Sequence, residues 1–324
     1  MNPLQSSPGT TFKASPGMMY FVQRMVVHQS MRRAVVAMLG AGIRLYRSMT
    51  GPIAAVRRRR EAPTDRPVRA AVTAAQSRSS VHERVILSQL QVSGFAPLPA
   101  LLSARQIDDM HAFLQDKPVV DRRDHARSFL ASAVPPGVPL ADYTMADILA
   151  CPHLLALAND PQLLALAAGY IGCTPTISAI MLRWSFPNDA PGAGVQAFHR
   201  DSDDWRFLKI FIYLTDVDEG AGPHVYVRGT HRANSTLRLK TFTDRAIEES
   251  YGDARVVVTG KRGFAFAADT YGVHKGMVPT TRPRLLLQIQ YSMLPVFAYS
   301  YQPQPYAGKL ALDPYINRLM LRMG

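Results

Sequence analysis

Val195-Gln-Ala-Phe-His-Arg-Asp-Ser-Asp-Asp-Trp-Arg-Phe-Leu-Lys-Ile-Phe-Ile-Tyr-Leu-Thr215 is the stretch on which the fold turns. Its second half, 206–215, is rich in aromatic and β-branched residues and reads as a strand. Its first half, 195–200, reads as another and carries His199 with Asp201 two positions on. On a strand, residues i and i+2 face the same way, so one imidazole and one carboxylate can be offered to a single ion. Further β-rich runs at 176–186, 223–228, 255–259, 263–267 and 284–292 are separated by Gly, Pro and Asp. Seven short strands with turn signals between them predict a β-sandwich or barrel.

Before Gly172 the texture is helical. Ser103 followed by Gln106 forms a capping box ahead of Ile107, Met110, Phe113 and Leu114, which share a helical face. Thr144 with Asp147 repeats the signal, and Asp160-Pro161 opens a helix over Leu163 to Tyr170 that Gly172 closes. The expected class is α+β with a mainly β core, a jelly roll whose N-terminal helices pack on one sheet. The chain has neither an internal repeat nor a glycine-rich phosphate loop.

Charge is unevenly distributed. Of the net +13 over 324 residues, residues 1–80 carry +11, leaving +2 for 81–324 where the metal motif lies. Basicity thus belongs to an extension, and no specific nucleic-acid partner is expected. Within it, Met18 to about Met49 reads as a basic amphipathic helix, Arg57 to Arg60 form a four-arginine block, and 61–80 reads as linker. Peripheral contact with an anionic membrane surface is one expectation, and a solvated, partly disordered extension is the other. Arg- and Ser-rich, acid-poor composition also fits organellar targeting. The ten uncharged residues Ala34 to Ile43 are too few to span a bilayer, which takes about 20. Cys151 and Cys173 make no Cys-x-x-Cys pair and no disulfide framework, so a cytoplasmic, reducing compartment is the expectation.

His274, in Val-His-Lys-Gly276, is the expected third ligand, with His224 and His231 as rivals. Two histidines and one carboxylate leave three adjacent octahedral positions open, as suits non-heme Fe(II). The competing enzyme class is a metal-dependent hydrolase or isomerase on a cupin-like barrel.

The ordered series Gln196-Ala-Phe-His-Arg-Asp201, Leu214-Thr-Asp-Val-Asp-Glu-Gly-Ala-Gly222, Val227-Arg-Gly-Thr-His-Arg232, Gly263 to Asp269, His274-Lys-Gly276 and Arg282-Pro-Arg284 resembles the phytanoyl-CoA dioxygenase family. The resemblance spans about 81–300. It implies a double-stranded β-helix and an Fe(II)- and 2-oxoglutarate-dependent dioxygenase, with O2 as cosubstrate and ascorbate as a stimulant. It also implies His199, Asp201 and His274 as catalytic metal ligands and hydroxylation of a small-molecule substrate, releasing succinate and CO2. Related halogenases replace the carboxylate with a small residue, so Asp201 favours oxygen transfer.

The far carboxylate of 2-oxoglutarate calls for a cationic fork, which Arg282 and Arg284 both offer by type. If 284–292 is a strand, Arg284, Gln288 and Gln290 share the more polar face with Leu286, so Arg284 is chosen over Arg282. Gln196 is a candidate supporting group. Arg183, Trp184, Trp205, Lys209 and Tyr213 are read as cofactor contacts or as core and rim residues, and Asp203 and Asp204 as substrate contacts or loop solvation. The alternative function is a catalytically inactive or non-oxygenase metal-binding barrel serving as a membrane-associated interaction protein.

Overall fold

The computed structural model describes residues 81–189, 192–232 and 242–323, with short pieces at 11–12, 34–35, 37–43 and 45–46. Its strands, in chain order, are β1 (Thr11–Phe12), β2 (Phe95–Leu98), β3 (Pro118–Asp121), β4 (Ser128–Leu130), β5 (Leu140–Tyr143), β6 (Thr176–Ser185), β7 (Phe207–Tyr213), β8 (His224–Val227), β9 (Arg255–Val258), β10 (Ala265–Ala268), β11 (His274–Gly276), β12 (Arg284–Ser292), β13 (Tyr299–Ser300), β14 (Gln304–Tyr306) and β15 (Leu321–Met323). The helices that matter below are α1 (Val81–Ser93), α2 (Ala104–Leu114), α3 (Met145–Ala150), α4 (Leu154–Ala158), α5 (Pro161–Ile171) and α6 (Asp244–Tyr251).

Eight strands form one antiparallel sheet in the order β2-β10-β7-β12-β6-β5-β3-β4, and β11-β8-β9 form a smaller one. Alternation along β7 and β12 sorts their side chains. Leu208, Ile210, Ile212, Leu285, Leu287, Ile289 and Tyr291 face a helical layer built from Leu90 of α1, Ile107 and Met110 of α2, and Leu163 and Ala167 of α5. The opposite face sends Phe211, Tyr213 and Phe266 against Tyr226 and Val258 of the small sheet. A third layer, Ile247 of α6 with Phe198, Val225, Val227 and Val273, covers the back of the small sheet. This is the jelly roll with helices on one sheet, and the chamber between its two sheets holds the metal-motif residues.

The caps read from sequence are formed. Ser103 and Gln106 make the reciprocal capping box of α2, and Thr144 accepts from the Asp147 N–H at the start of α3. The Asp160 carboxylate accepts from the Gln162 and Leu163 N–H groups at 2.9 and 3.1 Å, and Gly172 closes α5 at φ +90°. One apolar window, Leu154–Ile171, matches a membrane span in length and composition. It is broken at Asn159-Asp160 into α4 and α5, whose leucines pack into the core.

Two expectations are corrected. The first half is not mainly helical, because β2, β3, β4 and β5 lie there and widen the large sheet. Strands of three or four residues are too short to show a period, and Pro97 in β2 is tolerated because that strand is an edge. The segment 195–200 is not a regular strand: Gly194–Gln196 form a 3-10 turn, and Phe198 and His199 make single bridges. Of the helix expected over Met18 to Met49, the pieces 34–35, 37–43 and 45–46 are helical. The remainder of that helix, the Arg57 to Arg60 block and the linker lie outside the described residues.

Candidate metal centre

His199 lies directly across from His274, each donating its backbone N–H to the other's carbonyl at 2.9 and 3.0 Å. Two residues on, the Asp201 N–H donates to Thr270 at 2.9 Å, so 198–201 runs along the edge of the small sheet. Alternation turns His199 and Asp201 into the chamber. Arg200 turns the other way, its guanidinium donating to the carbonyls of Thr230 and Tyr271 at 2.7 and 2.8 Å. The i, i+2 logic therefore holds without a regular strand.

Asp201 sits between the two rings: Oδ1 is 3.5 Å from His199 Nε2 and Oδ2 is 3.5 Å from His274 Nε2. The three side chains offer one donor atom each, all within 4.8 Å of one another. Donors about 2.1 Å from one ion lie roughly 3 Å apart when adjacent, so this cluster needs little contraction to close on a metal. Both rings are already set for it. Nδ1 of His199 bonds the Ala197 carbonyl at 2.8 Å and Nδ1 of His274 bonds Gly272 at 2.9 Å. That pairing places the proton on Nδ1 and the lone pair on Nε2, the nitrogen facing Asp201.

Electrostatics favour an ionised carboxylate. Burial opposes a charge on Asp201, but the Lys209 ammonium and then the two imidazoles hold its pKa well below the ordinary range. Lys209 is 6% exposed and bonds Asp201 Oδ2 at 2.7 Å and Asp203 at 3.1 Å. Burial and the charge of His199 push the His274 imidazole down to about 3. Burial also opposes a proton on His199, yet Asp201 outweighs it and holds that ring above its ordinary value.

Arg284 and Arg282 part company. Arg282 is exposed and paired with Asp218 on the surface. Arg284 opens β12 on the inner face opposite Ser185, is 4% exposed, and donates to the Gly222 carbonyl and, at 3.2 Å, to Ser185 Oγ. No carboxylate pairs with it among the described residues, and its Nε is unpartnered. A buried guanidinium without an anion is expensive, so this pocket could hold a carboxylate brought from outside.

A sequence model described as Phytanoyl-CoA dioxygenase (PhyH) matches residues 90–277. The chain belongs to the phytanoyl-CoA dioxygenase family. Members of this class are 2-oxoglutarate-dependent non-heme iron oxygenases, and the residues present fit both groups: two Nε2 atoms and a carboxylate for iron, an unneutralised buried arginine for the dicarboxylate. Among solved structures the chain is similar to the non-heme alpha ketoglutarate dependent epimerase SnoN from nogalamycin biosynthesis (18% identity, TM-score 0.50, covering 65% of this chain and 82% of that one). It is also similar to HygX from Streptomyces hygroscopicus, solved with nickel and 2-oxoglutarate bound (18%, 0.47, 70% and 92%). A third similar structure is EctD from S. alaskensis in its apoform (18%, 0.48, 76% and 88%). At these identities the likeness is one of fold. No curated protein matches the chain in sequence.

In this dioxygenase family member the remaining candidates have other duties. Trp184 faces the helical layer and donates to Tyr143, and Arg183 chelates the buried Asp142. Tyr213 ties the two sheets together, donating to the Val258 carbonyl at 2.7 Å and accepting the His224 N–H at 3.0 Å. Asp204 is buried, not a loop solvator, and accepts the N–H groups of Trp205, Met293 and Leu294. Trp205 packs beside Phe207 and Tyr271. His231 Nε2 reaches the Gln91 carbonyl at the end of α1 and is no part of the metal cluster. Gln196 is buried with its Nε2 unpartnered.

Gly276 went unrecognised as a functional position, although it stands in the His-Lys-Gly motif. It shares a face of β11 with His274, and a Cβ placed there would lie 3.0 Å from Arg284 Nη2. Gly276→Val is expected to displace the guanidinium and lower kcat/KM for 2-oxoglutarate on the order of 10²-fold, with metal content unchanged. Steady-state kinetics with varied 2-oxoglutarate check this, and a wild-type value would refute the close approach.

Proposed function

We propose that this dioxygenase hydroxylates a C–H bond of a small molecule, a natural-product, glycan or lipid intermediate, consuming O2 and 2-oxoglutarate and releasing succinate and CO2. The observation that carries the reading is Asp201, an ionised carboxylate between two correctly protonated imidazoles, where a halide-transferring site would leave room for the halide. When bound, Fe(II) would activate O2, the oxidant, with 2-oxoglutarate giving two electrons as it becomes succinate and CO2 and the substrate C–H bond giving the other two, so that one oxygen atom goes to succinate and the other to the substrate.

The chain does the rest. His199 and His274 present Nε2, oriented by the carbonyls of Ala197 and Gly272. Lys209 engages one oxygen of Asp201, Oδ2, and leaves Oδ1 facing His199 as the oxygen that would be offered to a metal. Arg284 receives the far carboxylate of 2-oxoglutarate. Phe211 and Phe266, stacked at 4.9 Å behind the site, help exclude water from it.

Anaerobic addition of Fe(II) and 2-oxoglutarate is expected to produce a weak visible charge-transfer band. A metabolite panel coupled to succinate release should then find the substrate, with 18O from O2 in its product. Absence of the band together with absence of iron-dependent succinate across the panel would exclude the reading. Activity retained with Zn(II) and without O2 would favour a hydrolase or isomerase instead.

A further inference from the structure

We propose that His224 is a second contact for the far carboxylate of 2-oxoglutarate, sharing that group with Arg284. The proposal rests on the reading that 2-oxoglutarate spans the chamber from the metal ligands to Arg284.

His224 opens β8 with its ring on the inner face of the small sheet. It is 4% exposed, and its Nε2 has no partner. The ring is stacked on His274 at 5.4 Å and 20°, and packs against Phe211 at 5.0 Å and Phe266 at 5.3 Å. These surroundings would accept a leucine or phenylalanine without penalty. A buried imidazole nitrogen left unpaired costs about 1–3 kcal/mol, so a ligand that pairs with it has a ready role. His224 does not belong to the three-residue metal cluster.

Its position relative to Arg284 narrows the ligand. Gly276 lies directly across from His224 in the β8–β11 pairing, and it is against Gly276 that the Arg284 guanidinium rests. On the other side, Arg284 donates to the carbonyl of Gly222, two residues before His224. The guanidinium is thus bracketed by backbone on both sides of His224, while the His224 ring leans on a metal ligand. A molecule reaching from the metal cluster to Arg284 passes over this ring. Two buried nitrogens on these residues, His224 Nε2 and Arg284 Nε, have no hydrogen-bond partner. A neutral imidazole offers one N–H, so Arg284 and His224 together present a charged fork and a single donor to one carboxylate.

The test is calorimetric titration of the full chain loaded with Ni(II), using 2-oxoglutarate and, as the probe lacking the far carboxylate, 2-oxopentanoate. His224→Phe and His224→Leu are expected to weaken 2-oxoglutarate roughly tenfold or more. Neither variant should change 2-oxopentanoate binding or Ni(II) affinity. His224→Gln, which keeps a donor, should stay within about threefold of wild type. Wild-type 2-oxoglutarate affinity in the apolar variants would overturn the proposal, as would equal loss for both keto acids or loss of Ni(II). An equal loss in His224→Gln would overturn the donor role. Failure of the wild-type protein to bind 2-oxoglutarate would instead strike the reading beneath it, and the proposal with it.

Discussion

Asp201→Ala is expected to remove metal binding and turnover together. Asp201 is the one anionic donor of the cluster, 3.5 Å from both imidazole Nε2 atoms. Deleting it does more than subtract a ligand. Lys209, buried at 6% exposure, would remain with its ammonium facing the site, and its charge opposes any incoming cation. Removing a residue that only supports a metal ligand typically costs 10–100-fold in affinity, so loss of this ligand should exceed about 100-fold. Anaerobic titration with Fe(II) or Ni(II), alongside succinate release, measures both consequences. Asp203→Asn is the control, because Asp203 shares Lys209 at 3.1 Å but offers nothing to the cluster. It should retain metal. Near-wild-type metal affinity in Asp201→Ala would mean that the cluster is not the metal site.

Arg284→Leu should weaken 2-oxoglutarate about 10²- to 10³-fold, the range for truncating one partner of a buried charge pair. Arg282→Ala should change it less than about threefold, because an exposed ion pair contributes little. Arg282 is half exposed and already paired with Asp218. Arg284 has a guanidinium enclosed by Gly222, Ser185 and Gly276, with no carboxylate paired to it among the described residues. Arg284→Lys should not restore affinity, since an ammonium cannot reproduce the two-pronged fork. Titration of the metal-loaded variants with 2-oxoglutarate ranks them. If Arg282→Ala proved the more damaging, the buried pocket would not be the carboxylate site.

Much of the site was readable from residues alone. Arg284-Leu-Leu-Leu-Gln-Ile-Gln-Tyr-Ser292 is a nine-residue strand, long enough for alternation to place Arg284, Gln288 and Gln290 on one face, and β12 has those bounds. His199 and Asp201 kept their common direction because an extended backbone alternates its side chains even where only single bridges form. Caps were readable because their chemistry is local: Ser103 and Asp160 bond N–H groups two or three residues away.

Other features depended on distant partners. Lys209 could be read as a rim cation or a cofactor contact. It is instead the buried partner of Asp201, since β7 places it on the inner face opposite Gln290 and facing the metal segment. The short strands β2 to β5 exist because neighbouring strands complete their ladders. Phe95–Leu98 alone has too few residues to declare a period.

By itself, then, the sequence determined the kind of chemistry: which residue types could hold a metal, which arginine alternation turns inward, and where helices begin. These are matters of residue type and of local backbone geometry. Only the tertiary structure decided that His274 rather than His224 or His231 meets Asp201, that Arg282 stays outside while Arg284 lies buried with no anionic partner among the described residues, and that Gly276 and His224 flank it. Such choices depend on burial and on pairing between strands tens of residues apart, and neither exists until the two sheets close on each other.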